Sequence, residues 1–167
     1  MKGGRVDGDI QEIKVVCFRL GSDIFALDIM RVREIIKPLR LAALPDAPSF
    51  LEGVINLRGA VIPVVDLRKR FGLPANADGG ACRLLIAVVD RQPLGLMVDS
   101  VTEVVSIPVR DLRPPPAVVK AKGYRYLIGV CLVRDSMLLL VNLDAVLDAG
   151  ESNELNGFRA SEARPEP

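Results

Sequence analysis

The chain has 167 residues, of which half are hydrophobic and about a quarter are charged, and its formal net charge at pH 7 is +1. This composition excludes a disordered chain, and the length suits one ordinary domain or two very small ones. The absence of histidine and tryptophan excludes a Ser-His-Asp triad, a Cys-His pair, a histidine metal site and a base-stacking platform for nucleic acid. The near-neutral charge likewise predicts no basic field for nucleic acid or anionic lipid.

The two ends of the chain differ in composition from the middle. Residues 1–11 are rich in glycine and polar side chains and are predicted to form a flexible leader, without the apolar stretch of a signal peptide. Residues 150–167 contain few apolar side chains and are predicted to form a flexible tail. No segment has the roughly 18 uninterrupted apolar residues of a membrane span. Three widely spaced cysteines in apolar runs are interpreted as buried and reduced, which indicates a cytoplasmic protein.

In chain order, short apolar runs separated by turn residues predict four antiparallel β-hairpins. These hairpins span residues 15–27, 54–65, 83–98 and 128–141. Short helices are predicted after the second and fourth hairpins, at 67–71 and 143–147, with Asp66 and Asn142 as their N-caps. The proline-containing segments 37–52 and 108–127 lack a helical period and are predicted to be loops.

An internal repeat identifies a third strand in each half of the chain. Residues 31–36 match residues 100–105 at an offset of 69, and residues 53–67 match residues 129–143 at an offset of 76. Because the second copy of the first block is almost entirely β-branched, both copies are predicted to be strands. The sequence therefore predicts a mainly β domain over residues 12–149. Its two five-stranded barrels would span about 12–72 and 82–149 and lie side by side.

Candidate catalytic chemistry is sparse. The acids Asp66, Asp99 and Glu103 have no spacing that forces a carboxylate pair, and no phosphate-binding loop is present. We therefore expect no enzymatic activity, no metal site and no cofactor. The basic run at residues 68–70 is interpreted as the solvated face of a short helix. The prolines that follow Arg113 are interpreted as a stiff connector.

The most informative segment is GVINLRGAVIPVVDLR at residues 53–68. It resembles the signature of the CheW family, the coupling proteins of bacterial chemotaxis. Similar family segments occur at residues 18–21, 32–35, 44–48, 96–101 and 112–116, so the resemblance covers about residues 12–149. It implies two five-stranded SH3-like barrels and a non-catalytic adaptor. The implied partners are a chemoreceptor's cytoplasmic tip, the regulatory domain of a CheA-type histidine kinase and other ring-forming CheW-like domains, at membrane receptor arrays.

The same resemblance implies candidate binding residues. Receptor contact in the groove between the barrels and near the Asn-Leu-Arg-Gly turn corresponds here to Val32, Asn56, Arg58, Val101 and Val104. Kinase contact corresponds to Glu34 and Ile35, with a second contact at Arg113. Val32 and Val101 occupy equivalent positions in the repeat, so we expect them to line an apolar groove as a pseudo-symmetric pair.

Three alternatives stay open at this point. The same scaffold is compatible with another output, such as surface motility. A carrier or enzyme that holds a small ligand in the groove between the barrels is a different class of function, which the absence of a clustered polar set disfavours. A self-assembling structural protein is the third alternative, because exposed strand edges can pair with one another.

Overall fold

The computed structural model describes residues 11–43, 45–74, 81–117 and 125–162. Within them lie ten strands: β1 (Glu12–Leu20), β2 (Asp23–Asp28), β3 (Val32–Ile36), β4 (Gly53–Leu57), β5 (Ala60–Asp66), β6 (Arg83–Val89), β7 (Gln92–Val98), β8 (Ser100–Pro108), β9 (Leu127–Val133) and β10 (Ser136–Val141). Two α-helices accompany them, α1 (Leu67–Arg70) and α2 (Ala149–Glu162). The predicted leader lies outside the described residues, apart from Gln11.

The strands form two five-stranded sheets, which confirms the mainly β fold. Sheet 1 has the order β8-β1-β2-β10-β9, and sheet 2 has the order β3-β6-β7-β5-β4. All four predicted hairpins form, as the antiparallel pairs β1–β2, β4–β5, β6–β7 and β9–β10. In each sheet two hairpins join through a parallel pair, β2 with β10 and β5 with β7.

The sheets do not coincide with the two halves of the sequence. Strand β3 comes from the first half but pairs with β6 of the second, and β8 comes from the second half but pairs with β1 of the first. Sheet 1 therefore combines residues 12–28 with 100–141, and sheet 2 combines residues 32–66 with 83–98. The predicted barrel boundaries, 12–72 and 82–149, are wrong because the third strands are exchanged between the halves.

In each sheet, one isolated β-bridge joins the segment that follows one edge strand to the strand at the opposite edge. Ala42, which follows the edge strand β3, pairs with Val54 of β4, and Arg113, which follows β8, pairs with Val130 of β9. Glycine makes both close approaches possible. A Cβ added at Gly53 or Gly129 would lie 2.8 Å from the carbonyl oxygen of Ala42 or Arg113, respectively. These bridges also supply hydrogen bonds within the predicted loops 37–52 and 108–127, in which residues 44 and 118–124 lie outside the described residues.

Side chains alternate between the two faces of each sheet and fill three apolar clusters. In β1, Val15 and Cys17 face a cluster confined to sheet 1, whereas Val16 and Phe18 face the largest cluster. This largest cluster, here called the seam cluster, takes side chains from both sheets and both helices. A third cluster, centred on Ile55 and its neighbours, belongs to sheet 2. Cys17 and Cys131 are buried as predicted, whereas Cys82 is half-buried, and all three are free thiols.

Both predicted short helices begin where expected. The Asp66 side chain accepts from the Arg68 backbone N–H at 2.9 Å and caps α1. The Asn142 side chain accepts from the Asp144 N–H at 3.2 Å, but the segment it caps is a single 3₁₀ turn, Leu143–Ala145.

The prediction of a flexible tail at 150–167 is wrong for its first thirteen residues, 150–162, which belong to α2. Asp148 and Glu151 form a reciprocal capping box: Glu151 N–H donates to the Asp148 carboxylate at 2.7 Å, and Asp148 N–H donates to the Glu151 carboxylate at 3.0 Å. Leu155 is buried and Phe158 packs against the seam cluster. Residues 163–167 lie outside the described residues.

Candidate functional site

The two edge strands β3 and β8 have the same construction. Val32 pairs with Ala87 and Ile35 with Leu85, and both partners belong to the seam cluster. Because directly opposed residues of a pair share one face of the sheet, Val32 and Ile35 lie on the seam side of sheet 2. A register shift between Val32 and Glu34 keeps both side chains on that side.

The repeat places the corresponding residues of β8 on the seam side of sheet 1. Val101 pairs with Phe18 and Val104 with Val16, and both partners again belong to the seam cluster. Val32 and Val101 themselves pack against this cluster, whereas Ile35 and Val104 are 41% and 50% exposed. The structure thus brings predicted receptor-binding and kinase-binding residues into one repeated motif. We call Val32, Ile35, Val101 and Val104 the edge-strand set.

Glu34 points to the opposite face of β3, where it meets the tip of the β4–β5 hairpin. Its carboxylate forms an ion pair with the Arg58 guanidinium, which is 68% exposed. Arg58 and Gly59 form the turn with φ values of +52° and +90°, and the Gly59 N–H donates to the Asn56 side-chain oxygen at 2.9 Å. The hairpin tip therefore exposes a guanidinium on a turn whose backbone is fixed by the Asn56 hydrogen bond.

The second half repeats this ion pair. Arg134, in the turn between β9 and β10, lies 2.6 Å from Glu103 of β8, measured from Nη2 to Oε2. Glu103 and Arg134 are the repeat equivalents of Glu34 and Arg58, at the same offsets of 69 and 76. The sequence comparison aligned these residues but did not indicate that they contact each other.

Arg113 lies in sheet 1 rather than beside the other predicted kinase-binding residues, Glu34 and Ile35, which are in sheet 2. Its backbone makes the bridge to Val130, and its guanidinium donates to the carbonyl oxygens of Arg110 and Leu112 at 2.6 and 3.1 Å. The structure therefore gives Arg113 a role in closing sheet 1 and does not group it with the other two.

The interpretation of residues 68–70 as a solvated basic face is wrong. Arg68 is buried and pairs with the Asp99 carboxylate, which also accepts from the Gly21 N–H at 2.7 Å. Arg70 is largely buried and donates to the Val146 carbonyl at 2.8 Å. Its guanidinium also pairs with Glu151 of α2. These residues connect elements far apart in the chain, and no local pattern distinguishes them from surface arginines.

Only Lys69 of the basic run is exposed, and it pairs with Glu52 at 2.9 Å. Within the described ranges, no group of three or more Cys, Asp or Glu side chains is arranged to hold a metal ion. Burial raises the pKa of the Cys17 thiol to about 11, so this thiol is not an activated nucleophile.

An open groove of about 540 Å³ lies on sheet 1, lined by Glu12, Lys14, Asp28, Met30 and neighbouring side chains. It lies beside the first residues of β1 and the turn after β2, whereas the ligand-carrier alternative places its site between the sheets. The seam itself is filled by the seam cluster. Among the described helices, none has the length and apolar character needed to cross a membrane.

Comparison with known proteins adds a family match. The family model for the CheW-like domain matches residues 14–151. The chain is 35% identical to Chemotaxis protein CheW of Rhizobium meliloti over 138 residues, covering 83% of this chain and 89% of that protein. It is 32% identical to Chemotaxis protein CheW of Treponema pallidum over 149 residues, covering 87% and 88%. Its structure is similar to that of the scaffolding protein TtCheW from Thermoanaerobacter tengcongensis, with a TM-score of 0.74, 32% identity and coverage of 89% and 96%.

Proposed function

The chain belongs to the CheW-like domain family, and from this premise we propose that it joins a chemoreceptor's cytoplasmic tip to a CheA-type histidine kinase. It is a non-catalytic scaffold and coupling adaptor of chemotaxis. The observation that carries this function is the family match over residues 14–151, which covers all ten strands except the first two residues of β1. Recruitment to membrane receptor arrays follows from the proposed receptor contact.

For the receptor contact we propose Val32, Val101 and Val104, together with Asn56 and Arg58. A receptor tip is a helical hairpin, and a helix docks by laying apolar side chains against an apolar surface. The seam-side placement of the three valines on two different sheets supports a contact that spans both sheets. Arg58, exposed at the hairpin tip, is available to a partner carboxylate.

For the kinase contact we propose Glu34, Ile35 and Arg113. Ile35 is an exposed apolar side chain, and Glu34 is held by Arg58. This ion pair links the two proposed contacts, because Glu34 belongs to the kinase contact and Arg58 to the receptor contact. A kinase group that binds the Glu34 carboxylate would release the Arg58 guanidinium for the receptor. The sequence contains no histidine, so the adaptor regulates the kinase by contact rather than by accepting phosphate on histidine.

The test is kinase activation in a reconstituted mixture of receptor, kinase and this protein. Arg58→Ala and Val104→Glu remove, respectively, the tip guanidinium and an exposed apolar side chain of the edge-strand set. We expect each variant to lower receptor-dependent kinase activity by about tenfold, since a few central contacts dominate an interface.

Lys69→Ala is the matched control. Lys69 and Arg58 are both 68% exposed and each forms one ion pair, but Lys69 lies outside the proposed contacts. We expect wild-type activation from this variant. Wild-type activation by Arg58→Ala and Val104→Glu, with their folds intact by circular dichroism, would contradict the assignment of these contacts.

A further inference from the structure

The chain passes from sheet 1 to sheet 2 through a short crossing between β2 and β3, and Arg31 is its last residue. The crossing is the 3₁₀ turn Ile29–Arg31. Asp28 caps the turn, and the Val32 N–H closes it by donating to the Ile29 carbonyl oxygen. Val32, the first residue of β3, therefore takes its position from this turn.

The Arg31 guanidinium joins the two sheets at the crossing. Its Nε and Nη2 atoms donate to the Val88 carbonyl oxygen at 3.2 and 3.0 Å, and Nη2 and Nη1 donate to the Asp144 carboxylate at 2.7 and 3.3 Å. Val88 is in β6 of sheet 2, next to Ala87, the strand partner of Val32. Asp144 is in the 3₁₀ turn that follows β10 of sheet 1. One planar side chain thus bonds to both sheets beside the first residue of β3.

The internal repeat gives the crossing between β7 and β8 a similar arrangement, with the charges exchanged. At an offset of 76, Asp144 corresponds to Arg68, and at an offset of 69, Val88 corresponds to Arg19. Arg68 pairs with Asp99, the residue between β7 and β8, and the Asp99 N–H donates to the Arg19 carbonyl oxygen at 3.0 Å. Asp99 is one position away from the repeat equivalent of the crossing arginine. Each edge strand is therefore preceded by an ion pair and by a bond to an equivalent carbonyl oxygen.

The two ion pairs differ in exposure. Arg68 and Asp99 are 10% and 11% exposed, whereas Arg31 and Asp144 are 33% and 66% exposed. Exposed ion pairs contribute little to the stability of a fold. Removal of the Arg31–Asp144 pair is therefore expected to leave the protein folded and to act locally, at the crossing.

We propose that Arg31 is a positioning residue for the receptor contact, a role that rests on the proposed function. Its bonds to Val88 and Asp144 fix Val32 of sheet 2 relative to sheet 1, on which Val101 lies. The receptor contact includes both valines, so their relative position determines how well the contact fits a receptor tip. Arg31 acts through Val32 and does not itself need to touch the receptor.

The kinase contact is expected to be independent of Arg31. Glu34 and Ile35 follow the register shift of β3 and pair with Ile86 and Leu85 of β6. Loss of the Arg31 bonds is therefore expected to displace Val32 and to leave these two residues in place. A selective loss of receptor binding distinguishes a positioning role from a general loosening of the fold.

The test measures binding of the full chain to a soluble cytoplasmic fragment of a chemoreceptor and, separately, to the regulatory domain of a CheA-type kinase. By isothermal titration calorimetry, Arg31→Ala and Asp144→Ala are each expected to raise the receptor Kd by about threefold to fivefold and to leave the kinase Kd unchanged. The double variant is expected to match Arg31→Ala, because both substitutions remove the same ion pair. Hydrogen exchange at the Val32 amide is expected to be faster in each variant.

Lys69→Ala is the control, since it breaks the surface ion pair with Glu52 and removes no bond to either crossing. It is expected to bind both partners like the wild type, and circular dichroism verifies that all variants are folded. The proposal is overturned if Asp144→Ala binds the receptor fragment normally, if kinase binding falls as much as receptor binding, or if the two single effects add. A wild type that does not bind the receptor fragment overturns the proposed function, and the role of Arg31 with it.

Discussion

Removal of the Asp99 carboxylate is expected to destabilise the protein more than a typical surface substitution, because Asp99 and its partner Arg68 are only 11% and 10% exposed. Asp99→Ala leaves the Arg68 charge buried without its partner and leaves the Gly21 N–H without its acceptor at 2.7 Å. Removing one partner of a buried ion pair, so that the other charge stays buried, lowers the free energy of unfolding by about 3–5 kcal/mol. That is a large share of the roughly 5–15 kcal/mol by which domains are stable. For a chain of this size it lowers Tm by about 6–20 °C.

The assay is urea unfolding of the wild type, Asp99→Ala and a double variant in which Arg68→Met accompanies Asp99→Leu. The double variant removes both charges and fills the site with apolar atoms, so we expect it to recover at least about 2 kcal/mol relative to Asp99→Ala. Lys69→Ala is the control: Lys69 lies in the same helix as Arg68, and the substitution breaks its ion pair with Glu52 at the surface. It is expected to cost at most about 1 kcal/mol. The reasoning is refuted if Asp99→Ala costs no more than this control, or if the double variant is as unstable as Asp99→Ala.

Two further predictions concern the closure of sheet 1 and its buried thiol. Gly129→Ala places a Cβ 2.8 Å from the Arg113 carbonyl oxygen and is expected to lower the free energy of unfolding in urea by about 2 kcal/mol. Gly157→Ala in α2, whose Cβ meets nothing within 4 Å, is expected to raise it by about 0.5–1 kcal/mol, and equal effects would contradict the close approach. Burial, and secondarily the charge of Glu103, raise the pKa of Cys17 from 9.0 to about 11. The stability contributed by its neutral thiol is therefore complete below about pH 9 and lost as the pH rises through about 11. The stability of the wild type relative to Cys17→Ala is expected to fall between these pH values in urea titrations, and a constant difference would exclude the linkage.

The hairpins could be predicted from the sequence because their pairing is local. A turn such as Arg58-Gly59, with both residues at positive φ, fixes which strands pair and in which register. The partner of the third strand is not encoded in this way. Strands β1 and β6 are equivalent in the repeat, so an apolar pattern that suits β3 against one suits it against the other. The choice of β6 depends on the packing of the whole seam cluster, which no local pattern specifies.

The candidate site shows the same division between local and distant information. The capping box at Asp148 and Glu151 is a local signal that identifies the start of α2, although the composition of the tail indicated disorder. The burial of Arg68 depends on a carboxylate 31 residues away and has no local signal. The family resemblance selected Glu34 and Arg58 separately, and only the fold shows that they are one ion pair.

Exchange of the third strands has a consequence for how the adaptor holds its partners. The chain passes from sheet 1 to sheet 2 between β2 and β3, and it returns to sheet 1 between β7 and β8. It therefore crosses the seam immediately before each of the two edge strands. The crossings lie beside Val32 and Val101, the first apolar residues of those strands. Two crossings and a shared apolar cluster fix the relative orientation of the sheets far more strongly than one linker would. A partner that contacts both valines therefore meets a preformed surface and loses little free energy in ordering it.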